Sequence, residues 1–151
     1  MNVSIATEPQ HDILSGIQNL DFTMIKLKLQ DSDEGLGWSE EQCNAVEEEY
    51  KKFLALKRFY PDKDVVPHKE LDAFWHQHIL DTEKYANDCE VIFGYFLHHY
   101  PYFGMNGEQD AKNLTDAFEE TKLLYKKHFG KSYIGMAKRC KAPKCITQCT
   151  R

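Results

Sequence analysis

No run of about 18 apolar residues occurs in the chain, so no segment reads as a membrane-spanning helix. The opening MNVSIATEPQHD lacks a basic stretch followed by an apolar one, so no secretory leader is expected and the expected location is cytoplasmic. Cysteine is sparse and odd in number, with 5 in 151 residues, which argues against a fully paired disulfide framework; in the cytosol these thiols are expected to be reduced. Glycine is also scarce, at 8 residues, and no glycine-rich phosphate loop is present. There is no Gly-x-Ser-x-Gly elbow and no His-Glu-x-x-His helix, so the sequence points to neither of those hydrolase chemistries. Alternation long enough for a sheet is missing, as is any internal repeat.

Acid is missing from one end. Residues 121–151 hold 9 bases and no acid, whereas residues 1–120 hold all 24 acids and 10 bases, a net of −14. The plain reading is that basic residues complement the dipole of a last helix and continue into a solvated tail. The sharper reading is a tail that docks an acidic protein partner. Nucleic acid fits poorly, because the body would repel phosphate.

The chain that remains is 42% apolar, enough for one well-filled core. The expected organisation is a helical domain over 1–130 and a basic, cysteine-containing tail over 131–151. Helical spacing runs from His11 to Leu29 with a break near Asn19–Asp21. Residues 31–38 form an acidic, turn-rich linker. Ser39 and Gln42 make a capping-box pattern, with Cys43, Val46, Tyr50, Phe53 and Leu54 as one stripe and Pro61 as the stop. A short extended connector leads to Pro67. Helices are then expected at His68–Leu80 and Glu83–Phe93, the second capped at Asp81–Thr82 and ended by Gly94. Tyr95–Met105 reads as an ordered aromatic loop. A last helix starts at Asn106 or Gly107 and ends at Phe129, with a stripe of Ala111, Leu114, Phe118, Thr121 and Tyr125. The fold class is all-α, a compact bundle of four to six helices.

The stretch from Pro67 to Gly104 concentrates the chemistry, with five of the seven histidines. Asp72 and His76 are one helical turn apart and share a face, while His76 and His78 point nearly opposite ways. His78 instead lines up with Trp75, Thr82, Tyr85 and Cys89. A carboxylate and an imidazole one turn apart can both ligate a cation, and His98 or His99 in the following loop can supply the third group. The candidate metal ligands are therefore Asp72, His76 and His99, with His78 and His98 as alternates. Two histidines and one carboxylate suit a facial triad for iron or a three-ligand zinc site with an open position. The alternative is a hydrogen-bonded polar cluster that packs two helices and a loop. Cys89 with a histidine is a further, weaker nucleophile–base pairing.

LDAFWHQHILDTEKYANDC followed by FGYFLHHYPYFG resembles the core of the glycine-rich domain-containing protein-like family. The matching positions are Asp72, Trp75, His76, His78, Asp81, Tyr85, Cys89, Phe93, Gly94, His99 and Pro101, within roughly residues 20–105. Lacking a glycine-rich region, the chain is similar to the short stand-alone form. The resemblance implies that these polar residues form one site and implies little about a reaction.

Cys140, Cys145 and Cys149 form a second candidate cluster, in CKAPKCITQC. Neighbouring lysines and arginine favour thiolate, and a fourth ligand would have to be His128 or Cys89. The plain reading is three idle, reduced thiols. Tyr95, Phe96, Tyr100, Tyr102 and Phe103 either pack the loop onto the bundle or present an aromatic patch to a partner. Two functions stand out: a small soluble protein with a His/Asp site for zinc or iron, or a non-catalytic interaction module whose His/Asp cluster is structural.

Overall fold

The computed structural model describes residues 10–131 and residue 133. Among the described residues there are six helices and no strand: α1 (Gln10–Gln18), α2 (Thr23–Gln30), α3 (Glu40–Phe59), α4 (Lys69–Leu80), α5 (Thr82–Phe93) and α6 (Gly107–Phe129). The protein is all-α, as its hydrophobic spacing predicts. Cys140, Cys145 and Cys149 lie outside the described residues, as does nearly all of the basic tail. No described helix is long and apolar enough to cross a membrane.

The break between α1 and α2 has a local cause. Asp21 Oδ1 accepts from the Thr23 backbone N–H at 2.9 Å and from the Thr23 hydroxyl at 2.6 Å. That satisfies a first-turn donor of α2 and restarts the helix. Phe22 then plugs into the core, 1% exposed.

The long α3 is the axis of the bundle and packs against α1, α2, α4 and α6. Ser39 caps it, its Oγ accepting from Gln42 N at 3.1 Å. All five predicted stripe residues are buried, and so are Lys51, Ala55 and Leu56, because neighbours cover α3 on more than one side. Lys51 is tolerated there because its Nζ donates to the Gln18 carbonyl, at the end of α1, and pairs with Glu47.

The entry to α4 is capped by His68, whose Nδ1 accepts from Leu71 N at 3.3 Å. The connector before it is pinned to α6, with Val66 N donating to Thr121 Oγ1 at 3.0 Å. Two boundary expectations need correction. Asp81 holds the expected N-cap position of α5 but its side chain makes no capping bond, and Ala111 is exposed rather than part of the α6 stripe. Ala111 lies in the second turn of α6, before the buried stripe that begins at Leu114. Gly94 and Gly130 end α5 and α6 in the left-handed conformation, at φ 72° and 67°.

Candidate metal centre

Asp72 lies in the first turns of α4, buried against the core. His76 follows one turn later on the same face, and its Nε2 is 3.3 Å from Asp72 Oδ2. After α5 the chain turns back at Gly94 and continues without regular secondary structure through residues 96–100. In that run Leu97 is buried and His99 turns inward, while Phe96, His98 and Tyr100 are exposed. His99 Nε2 arrives 2.9 Å from Asp72 Oδ1 and 3.1 Å from His76 Nε2. One carboxylate and two imidazoles thus converge, with ligand atoms all within 4.8 Å of one another.

A hydrogen-bond chain holds His99 in place. Trp75 Nε1 donates to the Tyr85 hydroxyl at 3.0 Å, and that hydroxyl donates to the Leu97 carbonyl, two residues before His99. Burial pushes the Tyr85 phenol well above its ordinary value, which keeps the donor proton on it. The Trp75 ring also packs on the His99 ring, with centroids 4.3 Å apart.

Exposure is graded across the group. Asp72 is 4% exposed at its side chain, His99 12% and His76 36%. Burial lowers the His76 pKa, and the nearby His99 lowers it further, against the opposing charge of Asp72. The ring is therefore neutral at pH 7, the form that ligates a metal. The spacing also suits one ion. Tetrahedral zinc with bonds of about 2.05 Å separates its ligand atoms by about 3.3 Å, and octahedral coordination at about 2.1 Å separates them by about 3.0 Å. Without an ion, His99 in its Nε2–H tautomer donates to Asp72 Oδ1, and His76 Nε2 meets that same nitrogen as an acceptor.

The structure separates the two alternates from this group. His78 is 1% exposed and belongs to another network: its Nδ1 is 2.8 Å from the Tyr50 hydroxyl and its Nε2 2.8 Å from Asp88 Oδ2. Asp88, which also pairs with Lys84 at 3.0 Å, is an acceptor when ionised, so Nε2–H donates to it. The neutral ring then accepts at Nδ1 from Tyr50, whose phenol burial keeps protonated. His98 is exposed and its ring packs against Phe96, centroids 4.9 Å apart. Cys89 is buried, and burial pushes its thiol pKa up, which opposes a nucleophilic thiolate.

Sequence reading missed Lys57. It lines a cleft of about 230 Å³ next to His99. Its position carried a signal, since Lys57 stands three and four residues after Leu54 and Phe53, on the apolar face of α3.

Fold and site together define a small all-α protein with a His/Asp group spaced to hold a divalent metal. Residues 15–121 match the family described as UCP032817-like, and the chain belongs to that family. No curated protein and no solved structure matches it. The family match overturns the resemblance to the glycine-rich domain-containing protein-like family, including its short stand-alone form. The physical reason lies in the motif itself. Trp75, Tyr85, Cys89 and Phe93 are buried core positions, and helical packing alone accounts for apolar residues at those spacings.

Proposed function

We propose that Asp72, His76 and His99 bind one divalent transition-metal ion, zinc or iron, through a carboxylate oxygen and two Nε2 atoms. The observation that supports this reading is the convergence of three ligand atoms from α4 and from a loop 23 to 27 residues further on. Three protein ligands leave a coordination position for water or substrate. At zinc such a water has a pKa near about 7 and serves hydrolysis; at iron the same set serves oxidation. A cytoplasmic setting, in which the buried Cys43 and Cys89 stay free thiols, fits this reading.

Elemental analysis of protein purified without a histidine tag tests it. The expected result is about one zinc or iron per chain, lost in His99→Ala. Less than about 0.1 metal per chain, with no uptake on titration, overturns it.

A second reading is favoured by the side chains the loop leaves in water: Tyr95, Phe96, Tyr100 and Tyr102 are 45–67% exposed. On that reading the protein is a non-catalytic module. Its aromatic loop or basic tail docks a protein partner, and the His/Asp group fixes the loop. Pull-downs with loop-substituted and tail-truncated chains that recover unchanged partners remove it.

A further inference from the structure

The cleft beside the His/Asp group has its own chemistry. Val65, Val66, Phe103 and Leu114 give it apolar walls, and Trp75 forms another side. Lys57 enters from α3, its Nζ 5.8 Å from the centroid of the Trp75 ring and 5.7 Å from that of Phe53. The ammonium thus rests on aromatic faces. Among the described residues no carboxylate lies within ion-pair distance of it. Asp64, exposed at the rim, acts on it only through space, while burial pushes its pKa down. Lys57 is half-buried, and a partly desolvated cation without a carboxylate partner is stabilised by an anion that enters the cleft.

The cleft also narrows which anion fits. One lysine supplies one positive charge, and the Asp64 carboxylate at the rim opposes any more highly charged anion. There is no guanidinium fork and no helix N-terminus among the lining residues, the features that recognise phosphate dianions. A monoanion with an apolar body matches one ammonium surrounded by aromatic and branched walls.

We propose that this cleft binds a small organic acid, its carboxylate paired with Lys57 Nζ and its aromatic or branched body against Trp75, Phe103 and Leu114. Binding here needs no metal. Because His99 lines the cleft as well as facing Asp72, an acid held there lies beside the metal centre proposed above.

The test uses the full chain, treated with EDTA, and benzoate with its neutral isostere benzamide as probes. The Trp75 indole signal, assigned with Trp38→Phe, reports occupancy by NMR. Benzoate should shift it saturably with a dissociation constant of about 1 mM, and benzamide should bind about tenfold more weakly. Lys57→Met should reduce benzoate to the benzamide level, and Lys57→Arg should restore most of the difference. Equal affinity for the two probes overturns the proposal, as does a Lys57→Met variant that binds benzoate as the parent does. So does the absence of saturation up to about 10 mM benzoate. The comparison of probes on the unaltered chain needs no variant to fold. The absence of metal separates this outcome from failure of the metal reading.

Discussion

His76 and His78 stand two residues apart on one helix, and their rings enter networks that share no partner. His76 Nε2 faces Asp72 and His99, while His78 bridges Tyr50 and Asp88 through its two ring nitrogens. The first ring is partly open to solvent and the second is enclosed. The two side chains should therefore fail in different ways. His76→Ala should abolish metal uptake and cost about 1 kcal/mol or less in stability. His78→Ala should cost about 2–4 kcal/mol, through a cavity and two orphaned partners, and leave metal uptake intact. Denaturant midpoints and metal titration on both variants check this.

Acid should weaken the metal-free fold through its buried histidines. Burial holds His78 below its ordinary pKa, against the opposing Asp88, and lowers His76 and His128 in the same direction. In the unfolded chain each titrates near about 6.5. Above that pH both states carry neutral rings and stability is full. As pH falls from about 6.5 toward the lower folded values, the unfolded chain takes up protons that the fold resists, so stability is lost. The urea midpoint should drop between about pH 7.5 and pH 5.5, with a shallower drop in His78→Gln. A midpoint that is flat or rises over that interval contradicts the assignment.

Tyr85→Phe should loosen the centre without touching a ligand. Its hydroxyl accepts from Trp75 and donates to the Leu97 carbonyl, so its loss leaves two buried groups unpaired. The expected cost is about 1–3 kcal/mol in stability, with about a tenfold loss of metal affinity as His99 loses its fixed position. Metal affinity unchanged in this variant would remove Tyr85 from the positioning role.

Gly104 tests the loop's far end. It has φ 88°, and a Cβ there would lie 2.5 Å from Leu114 Cδ2, in the wall of the cleft. Gly104→Ala combines backbone strain with that overlap and should cost about 1–3 kcal/mol. A denaturant midpoint equal to that of the parent chain would contradict this.

Much of this architecture was legible in the residues. Ser39 with Gln42, the stripe from Cys43 to Leu54, and the glycines at 94 and 130 mark helix ends and faces by local chemistry. The Asp72–His76 pair follows from one helical turn. What spacing does not encode is how a loop lies on a helix. His98 stays an alternate to His99 until Leu97 is known to be buried. Alternating burial along residues 96–100 then places His99 inward and His98 outward. Lys57 escaped notice for a related reason: a lysine near the end of α3 reads as a dipole partner, and only the tertiary packing shows it entering a cleft.

That alternating run from Phe96 to Tyr100 works as a ruler with a one-residue graduation. Its fixed mark is the carbonyl grip of Tyr85 on Leu97. A single residue inserted after that mark would trade one imidazole for the other, and aromatic tips on the outward side can be exchanged without disturbing the inward one. The segment separates what the protein shows to its surroundings from what it keeps at Asp72.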